Sequence, residues 1–222
     1  MGQRQLTAAD GFTFGAYEAL PAGKPKGGVV VIQEIFGVNH HIRSVADGYA
    51  KEGYAALAPQ IFDRAERNVE LGYSDPDEMQ KGIKLAFQDL KMAQTLLDLQ
   101  AAIDSVGVHG KVGVVGYCFG GLMTWLSACE LRGVAAASAY YGGGIAKEAT
   151  RVAKCPVIMH FGERDAHIPL KDVETINKAQ PKIEIFIYPA DHGFNCVERG
   201  SYDATSAALA KQRTLAFFGQ HL

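Results

Sequence analysis

Hydrophobic residues fall along this chain in short continuous runs alternating with longer, helically spaced stretches. Gly28-Val29-Val30-Val31-Ile32-Gln33 is an unbroken β-branched run, the pattern of a strand buried on both faces. Tyr54 to Ala58, Lys111 to Gly116, Val134 to Tyr141, Pro156 to Phe161 and Ile183 to Tyr188 are further strand candidates. Gly11 to Ala19 alternates aromatic with small or polar residues, as an edge strand or hairpin arm does. Helical spacing runs from His40 to Glu52, from about Asp77 through Ile103 as one long helix, from Leu122 to Cys129, from Leu170 to Ala179 and from Tyr202 to Phe218. Gln60 to Asp77 mixes charges with Gly72 and Pro76 and reads as a long excursion, which is more often functional than idle.

Strand and helix alternate for almost the whole length. That order predicts an α/β fold: a mainly parallel, doubly wound sheet with helices on both faces. No repeat or composition break marks a second domain, so residues 1–222 are expected to form one. Ligands of such sheets bind where loops leave the carboxyl ends of strands.

Composition narrows the field. Hydrophobic residues are 48% and charged residues 21% of the chain, a globular balance. The net charge of -2, without a clustered basic face, offers nothing to nucleic acid or to a membrane surface. No stretch approaches the roughly 18 apolar residues of a membrane helix, and the amino terminus lacks the apolar core of a signal peptide. The expected location is cytoplasmic. The four cysteines have no C-x-x-C spacing, which makes zinc and redox-pair readings poor and favours free thiols.

One of those cysteines stands in a special frame. Gly116-Tyr117-Cys118-Phe119-Gly120 follows an apolar run and precedes a helix, the G-x-nucleophile-x-G form of a nucleophile elbow. A cysteine at a strand–helix junction is by default a small buried hydrophobe; as a nucleophile it requires a base, because little of a free thiol is ionised near neutral pH. Of seven histidines, His192 lies in the loop after the last strand, Pro189-Ala190-Asp191-His192-Gly193-Phe194, where an α/β-hydrolase keeps its histidine. His40 and His41 are adjacent on a helix start, so only one can face a pocket, and His160 is inside an apolar strand. Asp165, four residues beyond Phe161, supplies a carboxylate after the preceding strand; Glu163 and Asp191 compete for that role. The order Cys118, Asp165, His192 is the nucleophile, acid, histidine order of the fold.

These residues resemble the dienelactone hydrolase family of the α/β-hydrolases. The resemblance spans about Val29 to Phe218 and rests on Gln33-Glu34-Ile35-Phe36-Gly37, the cysteine elbow, Gly162-Glu163-Arg164-Asp165 and Asp191-His192-Gly193-Phe194. It implies hydrolysis of a small cyclic enol ester without a metal or organic cofactor, through a Cys118–His192–Asp165 triad and a thioester. It implies that Glu34 contacts the resting thiol and is displaced by substrate; otherwise Glu34 is an acid capping the helix that begins at His40. The oxyanion donors are then the backbone N–H groups of Phe119 and Ile35, and Phe36, Tyr117, Tyr141 and Phe194 are expected to line the pocket. A cysteine nucleophile suits a leaving enolate better than a poor alkoxide, so lactones and activated esters are favoured over fats or peptides.

One departure concerns substrate charge. Relatives acting on dienelactone carry a carboxylate-binding arginine four residues after the histidine, which here is Cys196. Arg199, Arg64, Arg67 and Lys81 are the basic residues in range by sequence. A broader carboxylesterase or thioesterase with the same triad is the nearest alternative, and a non-catalytic binding protein keeping the fold is another. The expected partner is a small lactone or ester, acted on by a monomer or small homo-oligomer.

Overall fold

A computed structural model describes residues 2–222. Eight strands form one sheet in the order β1-β2-β4-β3-β5-β6-β7-β8. The runs β3 (Gly28–Ile32), β4 (Ala55–Pro59), β5 (Val112–Tyr117), β6 (Val134–Tyr140), β7 (Val157–Gly162) and β8 (Glu184–Tyr188) are parallel neighbours. β3, β4, β5 and β7 are buried along their full length, as unbroken apolar runs require when helices cover both faces.

At the other edge the strands turn antiparallel. β2 (Thr13–Ala19) pairs with β4, and β1 (Gly2–Thr7) pairs outside β2 as the edge strand. The predicted edge arm is therefore the second strand. β1 escaped the apolar pattern because only Leu6 of it is buried.

Helices lie on both faces. Gly113 faces Phe218 of α6 (Ala204–His221), whereas Gly116, three residues on and so on the opposite face, meets Thr124 of α4 (Phe119–Glu130). α3 (Met92–Val106) packs beside α4, and α1 (His40–Lys51) meets α6 through Tyr49 and Phe218. The remaining helix of that half, α5 (Leu170–Ala179), has the predicted bounds.

The predicted long helix from Asp77 through Ile103 is corrected: it is two helices. α2 (Pro76–Lys84) runs into a π turn at Leu85–Asp89, and Leu90 is extended before α3 begins. One continuous helix would run about 40 Å at about 1.5 Å per residue, and could not serve both halves. α3 packs on the sheet, while Gly82 lets α2 close onto the Ile35 carbonyl, which a Cβ there would meet at 2.2 Å. The excursion at 60–77 holds a 3-10 turn, Ile61–Arg64, tied to α3 where Arg64 donates to Asp98 at 2.7 and 2.8 Å. Among the described residues, no helix is long and apolar enough to cross a membrane.

Candidate active site

Four parallel strands deliver their following loops to one end of the sheet. Glu34 follows β3, Cys118 follows β5, Asp165 follows β7 and His192 follows β8.

The turn at Cys118 is sharp enough that its backbone takes φ 55° and ψ −117°, a conformation ordinary side chains avoid at a cost of roughly 1–3 kcal/mol. The flanking glycines make it sterically feasible. A Cβ on Gly116 would lie 2.1 Å from the Gly120 carbonyl, and one on Gly120 would lie 2.4 Å from that of Ile32. Hydrogen bonds fix the turn, from Cys118 N–H to the Tyr140 carbonyl (3.1 Å) and from Gly121 N–H to the Cys118 carbonyl (2.9 Å). α4 begins at Phe119, three residues earlier than the apolar pattern suggested. Phe119 N–H thus sits in the first turn, where helix donors have no intrahelical partner.

His192 is held on several sides. Its Nδ1–H donates to Asp165 Oδ2 at 2.7 Å. Asp165 is itself buried, and its other oxygen accepts from the N–H groups of His167 (2.8 Å) and Ile168 (3.1 Å). Tyr141 and His167 each present a ring edge-on to the imidazole at 5.1 Å between centroids. Burial pulls the His192 pKa down, but hydrogen bonds to Asp165 and to the Cys118 thiol, with the charges of both, outweigh it and raise the pKa to about 10. The competing acids stand elsewhere: Asp191 is exposed and lies 3.6 Å from Arg164, and Glu163 is exposed.

Glu34 is completely buried. Tyr73 Oη–H donates to its Oε2 at 2.8 Å, and Arg199 Nη1 lies 3.4 Å from Oε1. It does not cap α1; Asn39 does, accepting from Ile42 N–H at 3.2 Å.

Cys118, His192, Ile35, Phe119 and Arg199 all line a cavity of about 530 Å³. Of the four aromatic residues expected to line it, Phe36 does. Tyr117, Tyr141 and Phe194 are a correction, for they are buried beneath the site rather than facing it. Tyr117 ends β5 one residue before the elbow, and its ring packs on Tyr140 below Cys118. Tyr141 and Phe194 pack on each other, and Tyr141 packs on His192. Among the basic residues in range, Arg199 reaches the cavity. Arg64 is spent on Asp10 and Asp98, Arg67 on Asp63 and the Thr13 carbonyl, and Lys81 on Glu66.

Sequence reasoning missed Tyr73, His167 and the wall made by Met79, Ile83 and Phe87 of α2 and its π turn. Ile83 and Phe87 are four apart, a spacing that predicts a helix but not what its apolar face meets. All four cysteines are free; burial raises the thiols of Cys129 and Cys196 to about 12 and of Cys155 to about 11, and of the four it is Cys118 that lines the cavity with His192.

A mainly parallel sheet carrying an elbow after β5, an acid after β7 and a histidine after β8 is the α/β-hydrolase arrangement. Comparison with known proteins narrows the class. The profile of the dienelactone hydrolase family matches residues 14–222. A carboxymethylenebutenolidase of Pseudomonas putida is 35% identical over 222 residues, covering 96% of this chain and 93% of that one. A Synechocystis sp. protein described as "putative carboxymethylenebutenolidase" is 41% identical, over 87% of this chain and 86% of its own. The crystal structure of a Klebsiella pneumoniae protein described as a "putative dienelactone hydrolase" superposes with a TM-score of 0.82 at 33% identity, covering 100% of both chains. The chain belongs to the dienelactone hydrolase family and is a hydrolase of that kind.

Proposed function

We propose that this enzyme opens a small lactone or an activated enol ester by covalent catalysis at Cys118, with His192 and Asp165 completing the triad. The observation that carries the reading is the 2.7 Å hydrogen bond from His192 to Asp165, with His192 and the Cys118 of the elbow lining one cavity.

The Cys118 thiolate, paired with the His192 imidazolium, attacks the ester carbonyl carbon. The carbonyl oxygen takes the negative charge and accepts hydrogen bonds from Phe119 N–H and Ile35 N–H. As the intermediate collapses, the ring C–O bond breaks, the C–S thioester remains, and the enolate oxygen takes the proton from His192. Water then attacks the thioester carbonyl, giving one proton to His192; the C–S bond breaks to release the Cys118 thiolate, and the carboxylic acid formed loses its remaining proton to solvent. Asp165 keeps the imidazole in the required tautomer throughout. Glu34 gates the thiol: with its carboxylate held by Tyr73 and Arg199, the sulfur is left to His192. The bond that leaves must break more readily than the new C–S bond, which a resonance-stabilised enolate meets and an alkoxide does not.

A broader esterase or thioesterase activity is favoured by one feature, the apolar wall of Met79, Ile83 and Phe87 that lines the cavity together with Cys118. Initial rates of the purified enzyme on dienelactone and on p-nitrophenyl acetate distinguish the two readings. Cys118→Ala should abolish both activities. Turnover of dienelactone no better than that of the simple ester would overturn the lactone assignment, and full activity of Cys118→Ala would overturn the nucleophile.

A further inference from the structure

Three side chains with metal-binding chemistry meet behind the cavity, and no linear spacing links them. Glu34 follows β3, His41 sits in the first turn of α1, and Cys196 lies in the loop beyond β8; one ligand atom of each lies within 4.8 Å of the other two. Glu34 and Cys196 are completely buried and His41 is 2% exposed. Both ring nitrogens of His41 are enclosed without a hydrogen-bond partner. A buried imidazole almost always satisfies at least one nitrogen, because stripping it of water is otherwise uncompensated. Here the helix cap is already made by Asn39, so local structure does not account for the ring.

We propose that Glu34, His41 and Cys196 form a binding site for a divalent ion of the zinc type. The donor set selects the ion: one carboxylate oxygen, one imidazole nitrogen and one sulfur suit zinc and its borderline-soft neighbours, whereas calcium and magnesium take oxygen. Bonds of about 2.0–2.3 Å in a tetrahedron put ligand atoms roughly 3.3–3.8 Å apart, so from separations within 4.8 Å these side chains draw together by at most about 1–1.5 Å. A water takes the fourth position.

Charge and protons balance. Burial raises the Cys196 thiol to about 12, so at neutral pH the metal–sulfur bond forms as the thiol proton leaves to solvent. Burial lowers the pKa of His41, which is therefore already the neutral ligand. Glu34 and the Cys196 thiolate together offset the charge of the ion. Binding draws the Glu34 carboxylate away from Arg199, its present partner at 3.4 Å. The inference stands on the cluster alone and does not depend on the proposed reaction.

Cobalt(II) added to the full chain tests it, since thiolate-bound tetrahedral cobalt has intense charge-transfer and visible bands. One equivalent should give both, and zinc should bleach them. Cys196→Ser should remove the charge-transfer band, His41→Gln should weaken binding by at least about tenfold, and Cys118→Ser should keep the bands. Absence of bands in the wild type, or their loss in Cys118→Ser with retention in Cys196→Ser, would overturn the site, the second result placing the metal on the nucleophile. Should Cys196→Ser fail to fold, cadmium-113 resonance of the Cys118→Ser protein decides: a shift set by one sulfur ligand supports the site, and a sulfur-free shift refutes it.

Discussion

The Arg199 guanidinium stands 3.4 Å from the Glu34 carboxylate, with Glu34 completely buried and Arg199 at the wall of the cavity that holds Cys118. A cation removed from most of its water, with a single long contact to its partner, is available to a second anion entering the cavity. Its planar fork matches a carboxylate. Arg199→Gln should therefore lower kcat/KM on a carboxylate-bearing lactone by about 10–100-fold, mainly through KM, as expected for one charge-assisted hydrogen bond of about 1.5–3 kcal/mol. Turnover of a neutral p-nitrophenyl ester should change only a few-fold. Equal losses on the two substrates would show that Arg199 serves Glu34 and not the substrate.

His192 and Asp165 predict a pH signature. The folded pKa of His192, about 10, lies above its ordinary value near 6.5. A raised pKa contributes stability that is complete below about pH 6.5 and is lost as pH rises towards 10. Asp165→Asn removes part of that rise, so the stability gap between wild type and variant should narrow over the same window in denaturant titrations at fixed pH. The His192 ring resonances should titrate at lower pH in the variant, and kcat should fall by about 10³–10⁴-fold, as when a triad acid is neutralised. An unchanged titration midpoint would refute the pairing.

Gly120 tests the elbow. An added Cβ meets two backbone carbonyls, of Ile32 at 2.4 Å and Gln33 at 2.5 Å, and neither can give way without moving the end of β3. Gly120→Ala should cost about 3 kcal/mol or more and displace Cys118 from His192. Gly219→Ala is the control. Nothing lies within 4 Å of a Cβ there, in helix α6, so it should be neutral or stabilising by up to about 1 kcal/mol. Similar unfolding midpoints for the two variants would contradict the packing at the elbow.

His160 predicts the acid limb of stability. It is buried between Tyr188 Oη (2.8 Å), Thr214 Oγ1 (3.1 Å) and Ser138 Oγ (3.2 Å). Burial, and then the charge of Arg213, lower its pKa to about 3. A lowered pKa means stability present above about pH 6.5 and lost as pH falls towards 3, with a slope of up to about 1.4 kcal/mol per pH unit from this one group. His160→Gln should be less stable at pH 7 yet show a shallower decline between pH 6 and 4. Parallel declines would assign the acid limb to other groups.

Much of the architecture was legible before any coordinates. The β-branched runs at Val29–Ile32 and Val112–Val115 read as buried parallel strands because burial on both faces leaves no room for polar alternation. The elbow was legible because its glycines are compelled by contacts a few residues away. β1 was not, since an exposed edge strand needs no apolar pattern. Nor was the break at Leu85–Leu90, because Ile83, Phe87 and Leu90 keep a helical spacing whether they face a core or a cavity.

Sequence by itself determined what depends on neighbours along the chain: the alternation of strand and helix, the strained turn at Cys118, and the order in which Asp165 and His192 follow it. Tertiary structure alone decided what depends on meetings across the chain. Arg199 faces Glu34 from 165 positions away, Tyr73 reaches the same carboxylate from the excursion, and His41 and Cys196 close on it from two further segments. Such meetings are set by how loops leave the ends of different strands and pack together, and no local periodicity encodes that distance.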